Sequence, residues 1–430
     1  RAAGIVIDWD DFSALSDIRL KPAYLREKDS VPNFKKNRSL FLHAVKFSQS
    51  NHLALCDVRS ADNKDRWIVC LELETGQIKQ LEHQHDSAWI GGPGISSWNF
   101  ETGTLGWLRD AQTIYFQSEA SGYSHLYILD LQTQTKLALT SGNFEVHQVH
   151  LAKDSNSFYL NTNLNHPGAR SFHQLELKKL EIKPILSELG AYEVQLSPDE
   201  KQLAYRFSTS TQPWEIFTCS LKNPKDQVQL TKSTTEVFRT YPWQKPEVLS
   251  FKGSDGVEVY ARMYTPKSQN KNGAAVLFVH GAGYLQNAHH YWSYYQREFM
   301  FHQMLIDKGY TVLDVDYRAS EGYGRDYRTA IYRHMGGKDL TDQVDGVKML
   351  VEKYGVNPKN VGLYGGSYGG FITLMGLFNA MLIASIRVVS EGVLHPEDLC
   401  HTFEHSEVPM QILLDVPNSY LDVMHCGKED

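Results

Sequence analysis

From about residue 40 to residue 232, apolar residues recur at every second position in short runs broken by polar turns. A period of two marks strands that bury alternate side chains on opposite faces. One unit repeats: an apolar residue, a polar turn, then an alternating strand. It reads Phe47-Ser48-Gln49-Ser50-Asn51-His52-Leu53-Ala54-Leu55, and returns at Trp107 to Phe116, Leu151 to Leu160 and Leu196 to Tyr205. Anchored on Phe47, Leu108, Leu151 and Leu196, the steps are 61, 43 and 45 residues. The last two match the roughly 40–50 residues of a four-stranded propeller blade. The first is lengthened by a glycine- and tryptophan-rich insertion from Trp89 to Trp98. A second strand pair follows within the units, as at His125–Leu131 and Trp214–Leu221. An unrelated all-β sandwich would share the alternation but not the regular step. Four units are visible, and Gly4–Arg19 reads as the remnant of a fifth. A larger closed ring would need more chain upstream, which suggests a truncated N-terminus.

The texture changes near Thr231–Lys245, where Tyr241-Pro242-Trp243-Gln244-Lys245-Pro246 forms a linker with two prolines. A hairpin-like pair, Glu247–Phe251 and Val257–Tyr264, leads into the apolar run Ala274–Val279 and then Thr311–Asp316. Between these runs lies a helical stretch over roughly Tyr294–Lys308. A second helix spans about Leu340–Tyr354, with Val344, Val347, Leu350 and Val351 on one face. A further strand, Val361–Tyr364, ends at a glycine-rich turn. Apolar strands alternating with helices indicate a mostly parallel sheet with helices on both faces.

A chain of 430 residues favours two domains. A net charge of −7 without a long basic run removes the electrostatic basis for sequence-independent nucleic-acid binding. Five scattered cysteines, with no C-x-x-C pair, support neither a disulfide framework nor a cysteine zinc site. The longest greasy stretch, Phe371–Ile386, is about 16 residues and short for a membrane span. The opening Arg-Ala-Ala-Gly carries no signal pattern, and the compartment is not legible.

The glycine-rich turn is Gly365-Gly366-Ser367-Tyr368-Gly369-Gly370, followed by an apolar helix. A Gly-x-Ser-x-Gly turn between strand and helix is a nucleophile elbow. Glycines two positions either side of the serine let chain segments pack where a Cβ would clash, and the serine is held in a strained turn with its hydroxyl pushed out. The backbone N–H of Tyr368, at the helix start, points where an oxyanion would form. Val279-His280-Gly281-Ala282-Gly283-Tyr284 sits at the end of an early sheet strand, where freed backbone amides serve as a second oxyanion donor; Gly281 is the candidate. His280 reads as structural, because the general base should follow the nucleophile in chain order.

Four strings carry a resemblance: Ser118-Glu119-Ala120-Ser121-Gly122-Tyr123-Ser124-His125-Leu126-Tyr127, Asp316-Tyr317-Arg318-Ala319-Ser320-Glu321-Gly322-Tyr323-Gly324-Arg325, Gly336-Gly337-Lys338-Asp339, and the elbow itself. Over about residues 40 to 378 the chain resembles the prolyl oligopeptidase family of serine peptidases, in particular its dipeptidyl-peptidase-IV-like branch. The resemblance implies a partial β-propeller over 1–243 and a partial α/β-hydrolase domain over 244–430, atypical from about residue 379. It implies that Ser367 acylates and that Tyr368 supplies an oxyanion N–H. A tyrosine hydroxyl is the second donor in several relatives, and His280 stands at that position here. No adjacent Glu-Glu pair is present to hold a substrate ammonium, and Ala319 replaces a usual glycine.

The triad acid and base should come after the elbow, in that order. Only 63 residues follow Ser367, and the family pattern stops near Asn379. Candidates by residue type are Asp415 and Asp422 for the acid, and His395, His401, His405 or His425 for the base. The chain therefore reads as a fragment, or as a peptidase with a foreign C-terminal end. His83-Gln84-His85-Asp86 reads as a polar loop rather than a metal site. His289-His290 either lines the substrate mouth or packs a helix start. The Trp89–Trp98 insertion either enters the cleft between the domains or stays on the surface. The expected activity is hydrolysis of short peptides through an acyl-enzyme on Ser367, with no metal or organic cofactor, no nucleic acid, no membrane span, and a homodimer as the assembly to test. An esterase or acyl-peptide hydrolase, and a catalytically silent interaction protein, are the alternatives.

Overall fold

The computed structural model describes residues 9–21, 36–96, 102–281, 284–379 and 387–391. Four antiparallel four-stranded sheets come first. Sheet one holds β1 (Leu40–Phe47), β2 (Leu53–Ser60), β3 (Asp65–Glu72) and β4 (Ile78–His85). Sheet two holds β5 (Leu105–Trp107), β6 (Thr113–Ser118), β7 (His125–Asp130) and β8 (Lys136–Ala138). Sheet three holds β9 (Val146–Leu151), β10 (Ser157–Thr162), β11 (Ser171–Glu176) and β12 (Glu181–Leu186). Sheet four holds β13 (Ala191–Leu196), β14 (Gln202–Thr209), β15 (Gln212–Ser220) and β16 (Asn223–Gln229). Each meanders in chain order, which is the blade pattern of a propeller.

Alternation decides the stacking. Leu55, Ile68 and Cys70 of sheet one pack with Leu105, Ile114, Phe116 and Tyr127 of sheet two. Leu126 of sheet two turns the other way and meets Val146, Phe158 and Leu160 of sheet three. Tyr159 and Phe172 in turn meet Tyr192, Tyr205 and Phe207 of sheet four. Neighbouring residues on one strand thus feed two different cores, as a period of two requires.

The repeating turn has a common backbone. Asn51, Ala111, Ser155 and Glu200, each four residues past Phe47, Trp107, Leu151 or Leu196, all take left-handed φ of 52–56°. The equivalent anchor in sheet two is therefore Trp107, not Leu108. Aspartates stabilise these turns: Asp110 Oδ1 accepts from the N–H groups of Gln112 (2.9 Å) and Thr113 (2.8 Å), and Asp154 from Asn156 (2.9 Å).

The fifth-blade expectation for Gly4–Arg19 fails over the residues described. Trp9–Ala14 is a 3₁₀ helix, and the following turns lay Phe12, Leu15 and Ile18 over Val58, Trp67 and Val69 of sheet one. An apolar spacing of three is a helical signal and cannot feed a two-faced strand. Trp67 Nε1 donates to the Ser16 carbonyl at 2.8 Å and fixes the cap.

A short helix, α1 (Glu236–Thr240), capped by the Thr235 hydroxyl, precedes the second fold. Its six-stranded sheet has the order β17 (Glu247–Lys252), β18 (Glu258–Tyr264), β20 (Thr311–Asp316), β19 (Ala275–Val279), β21 (Val361–Gly366), β22 (Arg387–Glu391). The last four pair in parallel, and β17 and β18 are antiparallel. Helix α2 (Gln296–Asp307) covers one face through Phe299 and Ile306 against Tyr264 and Val312. The other face buries Leu277, Leu313, Val315 and Leu363 with α4 (Lys338–Tyr354) and α5 (Tyr368–Asn379) through Val347, Leu350 and Ile372. Helix α4 starts two residues earlier than expected and ends at Gly355 in a left-handed C-cap with φ 69°. The partial propeller and partial hydrolase sheet expected from the pattern are both present. Among the described residues no helix is long and apolar enough to cross a membrane.

The two folds are stitched together. Helix α3 (Arg325–Thr329) sends Arg328 into a bidentate pair with Glu119 at 2.6 and 2.8 Å, both side chains only 7% exposed. Gly91 and Gly92 close over that pair, and Trp89 sits 6.3 Å from the ring of Tyr332. The described part of the Trp89–Trp98 insertion thus lies in the interface between the folds. Lys64 adds a hydrogen bond to the Tyr332 hydroxyl at 2.9 Å.

Candidate active site

Strand β21 delivers the chain to the elbow and α5 takes it away. Ser367 is the residue between them, with φ at 55°, exposed, while Gly365 and Gly369 on either side are buried. A serine in the left-handed region carries strain of about 1–3 kcal/mol, held there by its surroundings. Those surroundings are tight. A Cβ on Gly365 would lie 2.3 Å from the Val279 carbonyl oxygen, and one on Gly369 would lie 2.0 Å from it. The elbow is thus clamped against the end of β19, and only glycine fits at both positions.

That clamp sets Gly281, two residues past β19, against the serine. A methyl group on Gly281 would lie 3.4 Å from Ser367 Cβ, 3.3 Å from the Gly366 carbonyl oxygen and 3.1 Å from the Tyr295 hydroxyl. Ser367, Tyr368 and Gly281, read separately from the sequence, therefore meet at one place. Tyr368 opens α5, so helix geometry leaves its N–H without an intrahelical acceptor and directs the helix's positive end towards the serine. Its side chain is tied elsewhere: the hydroxyl donates to Asp339 at the start of α4, and the ring stacks on Tyr317. Burial, then that carboxylate, pushes the Tyr368 phenol well above its ordinary value. Gly281's own N–H donates to the Tyr295 hydroxyl at 2.8 Å. The expected oxyanion amide is therefore already engaged by a tyrosine of the aromatic run beside His289-His290.

His280 is sealed. It is fully buried, stacks on Tyr317, and its ring nitrogens contact the Gly281 carbonyl and the Ser320 hydroxyl, each at 3.0 Å. Burial holds its pKa below the ordinary value and keeps it neutral. It braces the loop, as its place ahead of the nucleophile suggested. Below it, Asp316 accepts from the N–H groups of Asn287 (2.7 Å) and Ala288 (3.0 Å) and from the Tyr323 hydroxyl (2.6 Å), tying the loop after Gly281 to the end of β20. Burial raises that carboxyl to about 7. Ala319 has φ 126°, so the departure from glycine puts a Cβ in a region that glycine favours.

Of the lesser signals, His83 and His85 both bond Asp65 Oδ1 at 2.8 Å on β4, a strand and not the loop expected, and no cluster that could hold a metal occurs among the described residues. His289 is buried and stacks on Tyr291 at 3.7 Å, packing the approach to α2. Asp415, Asp422, His395, His401, His405 and His425 lie outside the described residues.

Comparison with known proteins agrees with this arrangement. Residues 17–214 match the dipeptidyl peptidase IV (DPP IV) N-terminal region, and residues 297–382 match the prolyl oligopeptidase family. An uncharacterized peptidase YuxL of Bacillus subtilis is 28% identical over 225 residues, covering 51% of this chain and 32% of the relative. Dipeptidyl aminopeptidase BIII of Pseudoxanthomonas mexicana is 36% identical over 102 residues, 24% of this chain and 14% of that one. The crystal structure of Porphyromonas gingivalis dipeptidyl peptidase 4 superposes with a TM-score of 0.69 at 18% identity, covering 83% of this chain and 50% of that chain. The chain thus spans half or less of the length of each of these proteins. The matched propeller region, the matched hydrolase segment and the glycine-clamped serine between β21 and α5 run in one order along the chain, which belongs to the prolyl oligopeptidase family of serine peptidases, in its dipeptidyl-peptidase-IV-like branch.

Proposed function

We propose that this chain carries the nucleophile of a serine-type peptidase acting on short peptides, with the propeller over 1–243 and the hydrolase over 244–430 as its working units. The observation that carries the reading is the exposed Ser367 at φ 55°, flanked by glycines that no other residue can replace. Its hydroxyl oxygen attacks the scissile carbonyl as a general base takes the hydroxyl proton, the carbonyl electron pair moves to oxygen, and the Tyr368 N–H stabilises the charge that results. Collapse expels the amine, which takes the proton back from that base, and leaves an acyl-enzyme for water to hydrolyse. Asp339 supports this geometry by holding the Tyr368 side chain away from the serine.

A fluorophosphonate probe tests the reading on the full chain. Stoichiometric phosphonylation at Ser367, absent in Ser367→Ala, supports it; no labelling of a folded protein favours the silent interaction protein. Comparing aminoacyl amide with simple ester turnover separates the peptidase from an esterase or acyl-peptide hydrolase. A homodimer belongs to the same reading, and sedimentation tests it.

A further inference from the structure

We infer that the Tyr295 hydroxyl is the second oxyanion donor of this site and that Gly281, instead of donating itself, positions that hydroxyl. The inference rests on Ser367 being the nucleophile.

Tyr295 is the residue just before α2, with φ −87° and ψ 58° and no capping role for its side chain. Its ring is wedged edge-on against Phe278 of β19, 5.3 Å between centroids, and its N–H donates to the Ser293 hydroxyl at 3.0 Å. Those two contacts fix the ring in the wall of the site. The hydroxyl oxygen accepts the Gly281 N–H at 2.8 Å. A phenol has one proton to donate as well as lone pairs to accept. Among the described residues no acceptor takes the Tyr295 proton. It is therefore available to the space that Gly281 leaves open by having no side chain. That space is methyl-sized, and its neighbours are the Tyr295 oxygen at 3.1 Å and Ser367 Cβ at 3.4 Å. On this inference, the carbonyl oxygen of a substrate drawn towards the nucleophile sits in that space.

Three features make the phenol suited to the task. Accepting an amide N–H polarises the O–H and strengthens its donation. Burial raises the Tyr295 pKa, so the donor stays protonated. His280, the residue beside Gly281, is committed to Ser320 and the Gly281 carbonyl and has no free donor for this position. When Ser367 Oγ bonds to the carbonyl carbon, the π pair moves onto oxygen, which accepts the Tyr295 O–H and the Tyr368 N–H. No proton is transferred at either contact, and both hydrogen bonds weaken when the carbonyl reforms.

The experiment compares wild type, Tyr295→Phe and a 2,3,5-trifluorotyrosine replacement at 295 in the full chain, reading the fluorophosphonate labelling rate at Ser367 and the urea midpoint. Tyr295→Phe should slow labelling about 100-fold, the scale of one lost oxyanion donor, with the midpoint held. The fluorinated phenol, isosteric but more acidic, should label at neutral pH and lose rate on the alkaline side as it ionises, which a packing role would not produce. Wild type that labels while Tyr295→Phe labels within threefold of it overturns the role of Tyr295 and leaves Ser367 standing. Should Tyr295→Phe not fold, an unchanged alkaline limb in the fluorinated protein overturns it instead. Wild type that does not label overturns the Ser367 reading and this inference with it.

Discussion

The Glu119–Arg328 pair invites the most quantitative test. It joins residues 209 apart in sequence, one just past β6 and one on α3, through two parallel hydrogen bonds of 2.6 and 2.8 Å. Both side chains are 7% exposed, and Arg328 Nε is buried with no hydrogen-bond partner among the described residues. Burial opposes the guanidinium charge, but Glu119, with Glu145 and Asp86 beside it, outweighs burial, and the Arg328 pKa stands above its ordinary value. Glu119→Gln keeps the shape and removes the counter-charge. Stranding a buried cation costs about 3–5 kcal/mol. Nearby Glu145 takes up part of that loss, so about 3 kcal/mol is expected. Replacing both partners by methionine leaves no stranded charge and should sit within about 1 kcal/mol of wild type, because well-packed apolar replacements are often neutral. A double-mutant cycle of Glu119→Met and Arg328→Met in urea, in which Glu119→Met strands the same cation at a cost of about 3 kcal/mol, therefore gives a coupling of at least about 2 kcal/mol, read from the first unfolding transition. A cost below about 1 kcal/mol for Glu119→Gln, or strictly additive single changes, refutes the view that this contact is desolvated.

Further outcomes follow from the same structure. Glu145 is fully buried and its pKa is raised to about 7 by burial and then by Glu119, against Arg328 and Arg170. A carboxyl with a raised folded pKa adds stability below its unfolded pKa and loses it as pH rises through the folded value. Urea midpoints should therefore fall between pH 4 and pH 7, and Glu145→Gln should flatten that fall; an unchanged slope counts against a buried acid. Gly369→Ala drives a Cβ to 2.0 Å from the Val279 carbonyl, backbone against backbone, so a loss of about 1–3 kcal/mol or more and abolished labelling are expected. Gly281→Ala meets only 3.1–3.4 Å contacts, and should fold normally yet label slowly because it fills the space beside Ser367. Trp67→Ala removes a fully buried indole, its bond to Ser16 and its 5.4 Å stack on His83, and should cost about 3–5 kcal/mol in chemical denaturation.

What could be read from the chain was what repeats or is local. The blades announced themselves because Leu55 and Cys56, or Leu126 and Tyr127, must face different cores, and that writes alternation directly into the sequence. The elbow was legible because Gly365 and Gly369 answer to one carbonyl, that of Val279, at fixed spacing from Ser367. Phe12, Leu15 and Ile18 misled, because a short apolar run beside a strand region was assigned to the neighbouring pattern when its spacing of three was helical. Asp339 stood inside a family-like string, but its role, like that of Tyr295, left no local signal. Each meets its partner across a loop, at Gly281 and at Tyr368, and nothing in the sequence ties those positions together until the sheet is assembled. Glu119 lay inside one family-like string and Arg328 three residues past another, yet their pairing across 209 residues became visible only with coordinates.

Because each apolar layer lying between two neighbouring sheets is contributed jointly by both, no such layer belongs to a single blade. Duplicating or deleting a whole unit would leave matching half-layers on either side of the join, whereas losing part of one would spoil two. Such an architecture lets gene duplication alter the size of the ring without redesigning what fills it.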